Sequence, residues 1–230
     1  MPEEQQNFPQ SQQEENENPY EEYGMRRVVG VPPMPEPWPE DPRYDRELLA
    51  DGDRRNVADR YRYWSVEAIK EELASRSSTL HIAIENLQHD LNIGSIVRSA
   101  NAFNIGGVHI VGRRRWNRRG ALVTDKYINI MHHETPESLQ VWAREHDYHL
   151  IAVDNPPESL SIEESDMPQK SLLVFGQESA GISEELLSIC ESAIRIEQYG
   201  STRSLNVAAA AGIAMHWWTV QHKNSFPPAP

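Results

Sequence analysis

The sequence predicts an α/β domain in which a mainly parallel sheet carries helices on both faces. Three observations lead there. From Ser77 onward, short apolar runs alternate with helix-patterned segments. Those runs are continuously apolar rather than alternating, as expected of strands covered on both sides. A chain of 230 residues, 38% of them hydrophobic, is also large enough for one ordinary core plus an extension.

Residues 1–42 are rich in Gln, Glu, Asn and Pro and too polar to bury a core. The expectation is a disordered or surface-draped tail, with Trp38 and Tyr44 as anchors for the drape. Residues 43–78 read as a short helical extension. Asp45–Arg62 is charged and mixed, whereas Trp64–Arg76 patterns as a helix, with Ser65 as its N-cap and Ala68, Ile69 and Leu73 on one face. Residues 79–223 form the folded domain and 224–230 a flexible tail.

Within the domain the expected strands are Leu80–Glu85, Val108–Val111, Leu150–Val153, Leu172–Phe175 and Ala193–Glu197. The expected helices are Ile93–Phe103, Val123–His132, Pro136–His146, Ser183–Cys190 and Ser204–His222. The last of these is apolar nearly all round, which reads as a helix buried on every side or packed on a partner subunit. Ligands of parallel sheets gather in the loops at strand carboxyl ends. Here those loops are Asn86–Asn92, Gly112–Gly120, Asp154–Pro157, Gly176–Gly181 and Gln198–Arg203.

The formal net charge of -13 argues against a protein that coats nucleic acid indiscriminately. About half of the acidic excess lies in residues 1–62, outside the predicted domain. Cys190 is the only cysteine, so neither an intramolecular disulfide nor a CxxC metal site is available, which fits a reducing cytosol. It reads as a small buried hydrophobe. No apolar run reaches the roughly 18 residues of a membrane span, and no signal sequence opens the chain. His81, His89, His109, His132, His133 and His146 lack ligand spacing, so they read as packing or surface residues and no metal is expected.

Three segments carry chemistry. In NIGSIVRSA, Asn92 stands at a helix mouth, Gly94 permits close approach to the first turn, and Arg98 follows one and a half turns later. In LLVFGQESAGIS, Gly176 and Gly181 frame Glu178, and backbone N–H groups can face a ligand before Ser183 opens a helix. In IEQYGSTRSLNVAAA, a turn at Gly200 and Ser201 leads to Ser204, read as the N-cap, and to Asn206. The positive end of that helix suits a carboxylate or phosphate. Neither a G-x-G-x-x-G nor a Walker A sequence occurs, which counts against NAD enzymes and Rossmann-type methyltransferases. Gly112–Gly120 adds Arg113, Arg114, Arg115, Arg118 and Arg119 around Trp116, a set suited to phosphates and an unpaired base.

In order and spacing, the three segments resemble the three motifs of the SpoU/TrmH branch of the SPOUT RNA methyltransferases. The resemblance covers roughly Leu80 to His222. It implies a C-terminal trefoil knot, bound S-adenosylmethionine, an obligate homodimer and methyl transfer to a ribose 2′-hydroxyl of tRNA or rRNA. It places Asn92, Arg98, Glu178, Ser204 and Asn206 at the catalytic positions, and Gly176, Ile196 and Leu205 in the cofactor pocket, with Phe175, Gln177 and Gly181 beside them. Departures from the family pattern are Ser95, Ser99, Glu197, Gln198 and Ala208, of which Glu197 brings a charge beside the expected adenine pocket. The alternative is a noncatalytic RNA-binding or ribosome-assembly factor that keeps the fold.

Overall fold

The computed structural model describes residues 30–86, 92–177 and 181–223; Glu178, His89 and the two terminal tails, 1–29 and 224–230, lie outside the described residues. Among the described residues seven strands form one sheet: β1 (His81–Asn86), β2 (Gly107–Gly112), β3 (Ile130–His133), β4 (His149–Val153), β5 (Leu160–Ser161), β6 (Ser171–Phe175) and β7 (Ser192–Arg195). Their order is β3-β2-β1-β6-β4-β7-β5, and every pairing is parallel. The helices are α1 (Arg46–Asp51), α2 (Val66–Ser75), α3 (Asn92–Ala102), α4 (Pro136–Glu145), α5 (Glu184–Ser188) and α6 (Val207–Gln221).

The continuous apolarity of the strands follows from burial of both faces. Ile82, Ile84, Ile110, Ile151, Leu173 and Phe175 join α3 and α6 in one core. Ala83, Val111, Leu150, Ala152, Leu172 and Val174, the alternate positions, join α4 and α5 in another. Period-2 alternation thus divides apolar residues between two cores instead of between core and solvent.

Local chemistry sets the helix ends. Ser65 accepts from Ala68 N to open α2, and Ser183 accepts from Leu186 N to open α5. Thr135 and Ser138 form a reciprocal capping box ahead of α4, with Pro136 at its first position. The N-cap of α6 is Asn206 and not Ser204: the Asn206 side chain accepts from Ala208 N and Ala209 N. Ser204 stays in the preceding loop, two residues too early to reach those donors. At its far end α6 is latched to the segment before β6, through Trp218 Nε1 to Pro168 O (3.0 Å) and Gln221 Nε2 to Ser165 O (2.5 Å).

The helix expected over Val123–His132 does not form. Leu122 (φ 46°) and Val123 (φ 69°) both adopt the left-handed region, which stops helical propagation. A 3-10 turn at Thr124–Lys126 follows, and Ile130–His133 pairs with β2 as an edge strand. The two-residue β5 was not expected either, being too short to show a pattern.

The extension carries a small core of its own: Tyr61, Trp64 and Ile69 pack with Tyr127 of the domain, and Tyr44 joins them. Trp38 is half-buried and donates to Met34 O. The buried Asp53 carboxylate ties the segment together by accepting from Arg55 Nη2 (2.7 Å), Arg55 N and Tyr63 N. Burial alone would lift its pKa, but these donors outweigh burial and hold it below the usual carboxylate range. Asn104 Nδ2 donates to Leu73 O and Arg76 O, fixing the end of α2 to the end of α3.

Three buried histidines cross the sheet diagonally. Ala83 pairs with His109 and Val111 with His133, so each imidazole lies two residues further along than the last and all three share a face. His81 Nδ1 meets His109 Nε2 at 2.9 Å, and His109 Nδ1 meets His133 Nε2 at 2.8 Å. Trp142 and Tyr148 cover the row. Burial lowers the pKa of His81 to about 4 and of His109 to about 2, neighbouring imidazoles adding to the effect, and burial also lowers that of His133. These residues are packing histidines, held in place by one another.

Candidate active site at the strand carboxyl ends

The loops that follow β4, β6 and β7 converge on a cavity of about 260 Å³, which the start of α6 closes. Phe175, Gly176, Gln177 and Gly181 come from the β6 side of it, Ile196 and Gln198 from the β7 side, and Ser204 and Leu205 from the approach to α6. All six positions expected to hold a cofactor therefore lie on one wall or another of this cavity. Asp154 and Asn155 complete it from the end of β4.

The β6 loop is tightly closed. Gln177 and Gly181 exchange two backbone hydrogen bonds of 2.9 Å, and Gly181 takes a φ of 68°. A Cβ on Gly176 would fall 2.1 Å from the carbonyl carbon and oxygen of Gly181, so only glycine fits. Two carboxylates that sequence reasoning passed over hold the loop exit. Asp154 Oδ2 accepts from Ile182 N (3.4 Å), and buried Glu85, at the end of β1, accepts from Ser183 N (2.9 Å). No local pattern marks them, because their partners arrive from elsewhere in the chain.

Beyond β7 the chain runs on without regular secondary structure through Tyr199. Ile196 and Gln198 line the cavity, while Arg195 Nε and Nη2 both donate to Glu197 Oε1 (2.9 and 2.7 Å). The charge of Glu197 is thereby matched and kept off the cavity wall. Gln198 Oε1 is buried with no hydrogen-bond partner among the described residues. A buried acceptor without a donor is costly, and an N–H group on a ligand would relieve it. Apolar surface from Phe175, Ile196 and Leu205 plus a waiting acceptor suits a flat heterocycle bearing an amino group.

Of the expected catalytic residues, the structure joins two directly: Asn206 Nδ2 donates to Asn92 Oδ1 at 2.9 Å, linking the start of α3 to the start of α6. Ser204 lines the cavity. Arg98 is six residues beyond Asn92, about 9 Å along the helix axis and on a different face. It is exposed and lines a separate cavity with Leu122, Val123 and residues of the extension. Within one chain, then, Arg98 and the Ser204 cavity are not assembled.

The arginine loop is exposed at Arg113, Arg114, Arg115, Arg118 and Arg119. Arg118 pairs with Asp125 at 3.4 Å and lies over the Trp116 ring, 5.5 Å from its centroid. Trp116 itself is half-buried against the main core, so only part of the ring is open to stack on a base. Buried Asn86 anchors the loop, its Nδ2 donating to Arg113 O (2.5 Å) and Arg115 O (3.0 Å). Gly94 and Gly120 bring the loop against α3: a Cβ on Gly94 would meet Gly120 Cα at 2.9 Å. The close approach that Gly94 allows is thus to this loop. Asn86→Ala should cost about 2 kcal/mol of stability, the worth of two buried hydrogen bonds, and expose Arg113–Arg115 to trypsin. Denaturant titration and timed proteolysis would check it.

Cys190 is half-buried, its Sγ contacts Leu186 O at 3.3 Å, and burial pushes its pKa up to about 12, so the thiol is inert. Among the described residues no helix is long and apolar enough to cross a membrane, and no cluster of His, Cys, Asp and Glu could hold a metal ion.

The chain matches the model of the SpoU rRNA Methylase family over residues 79–216, every strand of the sheet included. It is 25% identical to the tRNA (guanosine(18)-2'-O)-methyltransferase of Escherichia coli over 160 residues, 68% of this chain and 70% of that protein. The protein of the same name from Aquifex aeolicus is 26% identical over 155 residues, covering 66% and 74%. Among solved structures, the A. aeolicus TrmH/SpoU tRNA modifying enzyme aligns with a TM-score of 0.62 at 24% identity, over 72% of this chain and 88% of that one. The SpoU methyltransferase AviRb from Streptomyces viridochromogenes, crystallised with the cofactor AdoMet, gives 0.59 at 24% identity, over 64% and 59%. The structural likeness is one of fold, while the family match spans more than half of the sequence. This chain belongs to the SpoU rRNA Methylase family.

Proposed function

We propose that this protein transfers a methyl group from S-adenosylmethionine to a ribose 2′-hydroxyl of RNA, working as a homodimer. The observation that carries the reading is the cavity at the strand carboxyl ends, with its glycine-tight β6 loop and the unpartnered acceptor of Gln198. Phe175, Gly176, Gln177, Gly181, Ile196 and Leu205 would hold the cofactor there. The trefoil threading of the C-terminal part, the division at residues 42, 78 and 223, and a cytoplasmic location belong to the same reading.

When bound, the cofactor would supply a methyl carbon made electrophilic by its sulfonium. The protein must hold the hydroxyl in line with that carbon, which is most of the catalytic task. Ser204, on the cavity wall, together with the hydrogen-bonded Asn92–Asn206 pair and Glu178, would orient it. Arg98 would clamp the neighbouring phosphate and steady the emerging alkoxide; a guanidinium, always protonated in proteins, is a poor base. Dimerisation accounts for the separation of Arg98 from its own Ser204 cavity, a partner supplying the guanidinium. The exposed stripe Ala209, Ile213, His216 and Val220 on α6, spaced for one helix face, supports such an interface.

The arginine loop would contact RNA phosphates. Changing Arg113–Arg115 to Ala should weaken RNA binding and lower the log–log salt slope by up to about 3, with cofactor affinity intact; filter binding across salt concentrations reads both. Transfer RNA is the first substrate to try, given the relatives. The reading itself is tested by incubating the protein with tRNA and rRNA transcripts and the methyl donor, then mapping 2′-O-methyl groups. Ribose methylation is expected. RNA binding without cofactor binding would leave the noncatalytic RNA-binding factor instead.

A further inference from the structure

We propose that the extension preceding the family-matched region supplies Arg54 as a second phosphate contact beside Arg98, making residues 51–56 part of the RNA-binding surface. The proposal rests on the reading of RNA as substrate and adds to it a binding element that lies outside the matched residues 79–216.

Arg54 and Arg98 line the same cavity, about 960 Å³ in volume, though 44 positions apart in sequence. Both are exposed, and among the described residues neither has a salt-bridge partner. A third arginine on the wall, Arg55, is spoken for by Asp53 at 2.7 Å, and Asp51 is the acid that shares the wall. Two free guanidinium groups outnumber that carboxylate in a protein whose net charge is -13. Such a local inversion of sign favours a polyanion, and guanidinium forks match phosphate oxygens bidentately.

A second observation points the same way. Leu122 and Val123, also on this wall, hold consecutive left-handed backbone conformations and are 49% and 51% exposed. For a β-branched residue that conformation is strained, and it keeps an apolar ledge open to solvent beside two cations. A nucleotide offers both complements, a phosphate for the arginines and a flat base for the ledge. The geometry is not left to a mobile tail. Asp53 fixes Arg55, Arg55 donates to Trp64 O at 2.7 Å, and Trp64 and Tyr61 pack with Tyr127 of the domain, so the extension is fastened to the domain beside the ledge.

The test measures binding of a transcribed tRNA to the full chain carrying Arg54→Ala, Arg54→Lys or Leu122→Ser with Val123→Ser, at several salt concentrations, alongside calorimetry with S-adenosylmethionine. Arg54→Ala should weaken RNA binding roughly 3- to 10-fold near 0.1 M salt and lower the salt slope by about 1, with cofactor affinity retained and Arg54→Lys recovering part of the loss. The double serine variant should weaken binding without altering the slope. RNA binding by the wild type that is indifferent to Arg54 overturns the proposal alone. Loss of dimer in the double variant with unchanged RNA affinity overturns it in favour of a contact between copies. A wild type that binds no RNA overturns the substrate reading, and this proposal with it.

Discussion

Gly176→Ala is expected to bind S-adenosylmethionine about 100-fold more weakly than the wild type, a loss of about 2.7 kcal/mol. The cause is steric and local. The added Cβ would sit 2.1 Å from the Gly181 carbonyl atoms, too close for any real contact, and the obstruction is backbone that cannot rotate aside. Relief requires the Gln177–Gly181 pair to part, which forfeits two 2.9 Å hydrogen bonds and opens the wall on which Ile182 and Ser183 are held by Asp154 and Glu85. The sheet should survive, because Phe175 remains locked in the core and β6 is paired on both sides. Equilibrium dialysis with labelled cofactor, paired with far-UV circular dichroism, separates loss of the cavity from loss of the fold.

The second large effect is on stability against pH. The imidazoles of His81, His109 and His133 are neutral in the folded protein and titrate near 6.5 once unfolded. Below pH 6.5 the unfolded chain therefore binds more protons than the folded one. Stability is fully present above pH 6.5 and is lost as pH falls through about 4, where His81 titrates in the fold. At pH 4 the loss from His81 and His109 together is roughly 6 kcal/mol, a large share of what a domain of this size possesses. His109→Gln should reduce the slope of unfolding free energy against pH by about one proton, ~1.4 kcal/mol per pH unit, between pH 6 and 4. Urea titrations at half-unit intervals would record it, and an unchanged slope would assign the acid sensitivity to carboxylates.

Most of the architecture was readable because both faces of the sheet are covered. Runs such as LHIAI, LIAV and LLVF announce themselves as doubly buried strands, and Ser65 and Ser183 sit where a cap must. What escaped depends on distant partners or on backbone strain. Tyr127, Ile128, Ile130 and Met131 read as a helix, yet the left-handed turn at Leu122 and Val123 breaks any helix there, and pairing with β2 makes the last of them a strand. Ser204 reads as the cap of the last helix from its position ahead of the apolar run. The loop geometry chose Asn206, which also reaches Asn92. The histidine row was invisible because it needs the register of three strands whose members stand 28 and 24 positions apart. Of the site, the family resemblance singled out six residues that line one cavity, whereas Asp154, Glu85 and Gln198 find their places only when the loops meet. The separation of Arg98 from its own chain's cavity could not be read from a helix that carries both Asn92 and Arg98.

The central claim is that the loops after β4, β6 and β7 enclose the methyl donor. A crystal structure of the full chain grown with saturating S-adenosylmethionine tests it most directly. Expected is cofactor density between the β6 loop and Leu205, with an N–H group on Gln198 Oε1 and the Gln177–Gly181 pair unbroken. Cofactor bound at another surface, or this cavity empty while calorimetry under the same conditions detects no binding, would contradict it.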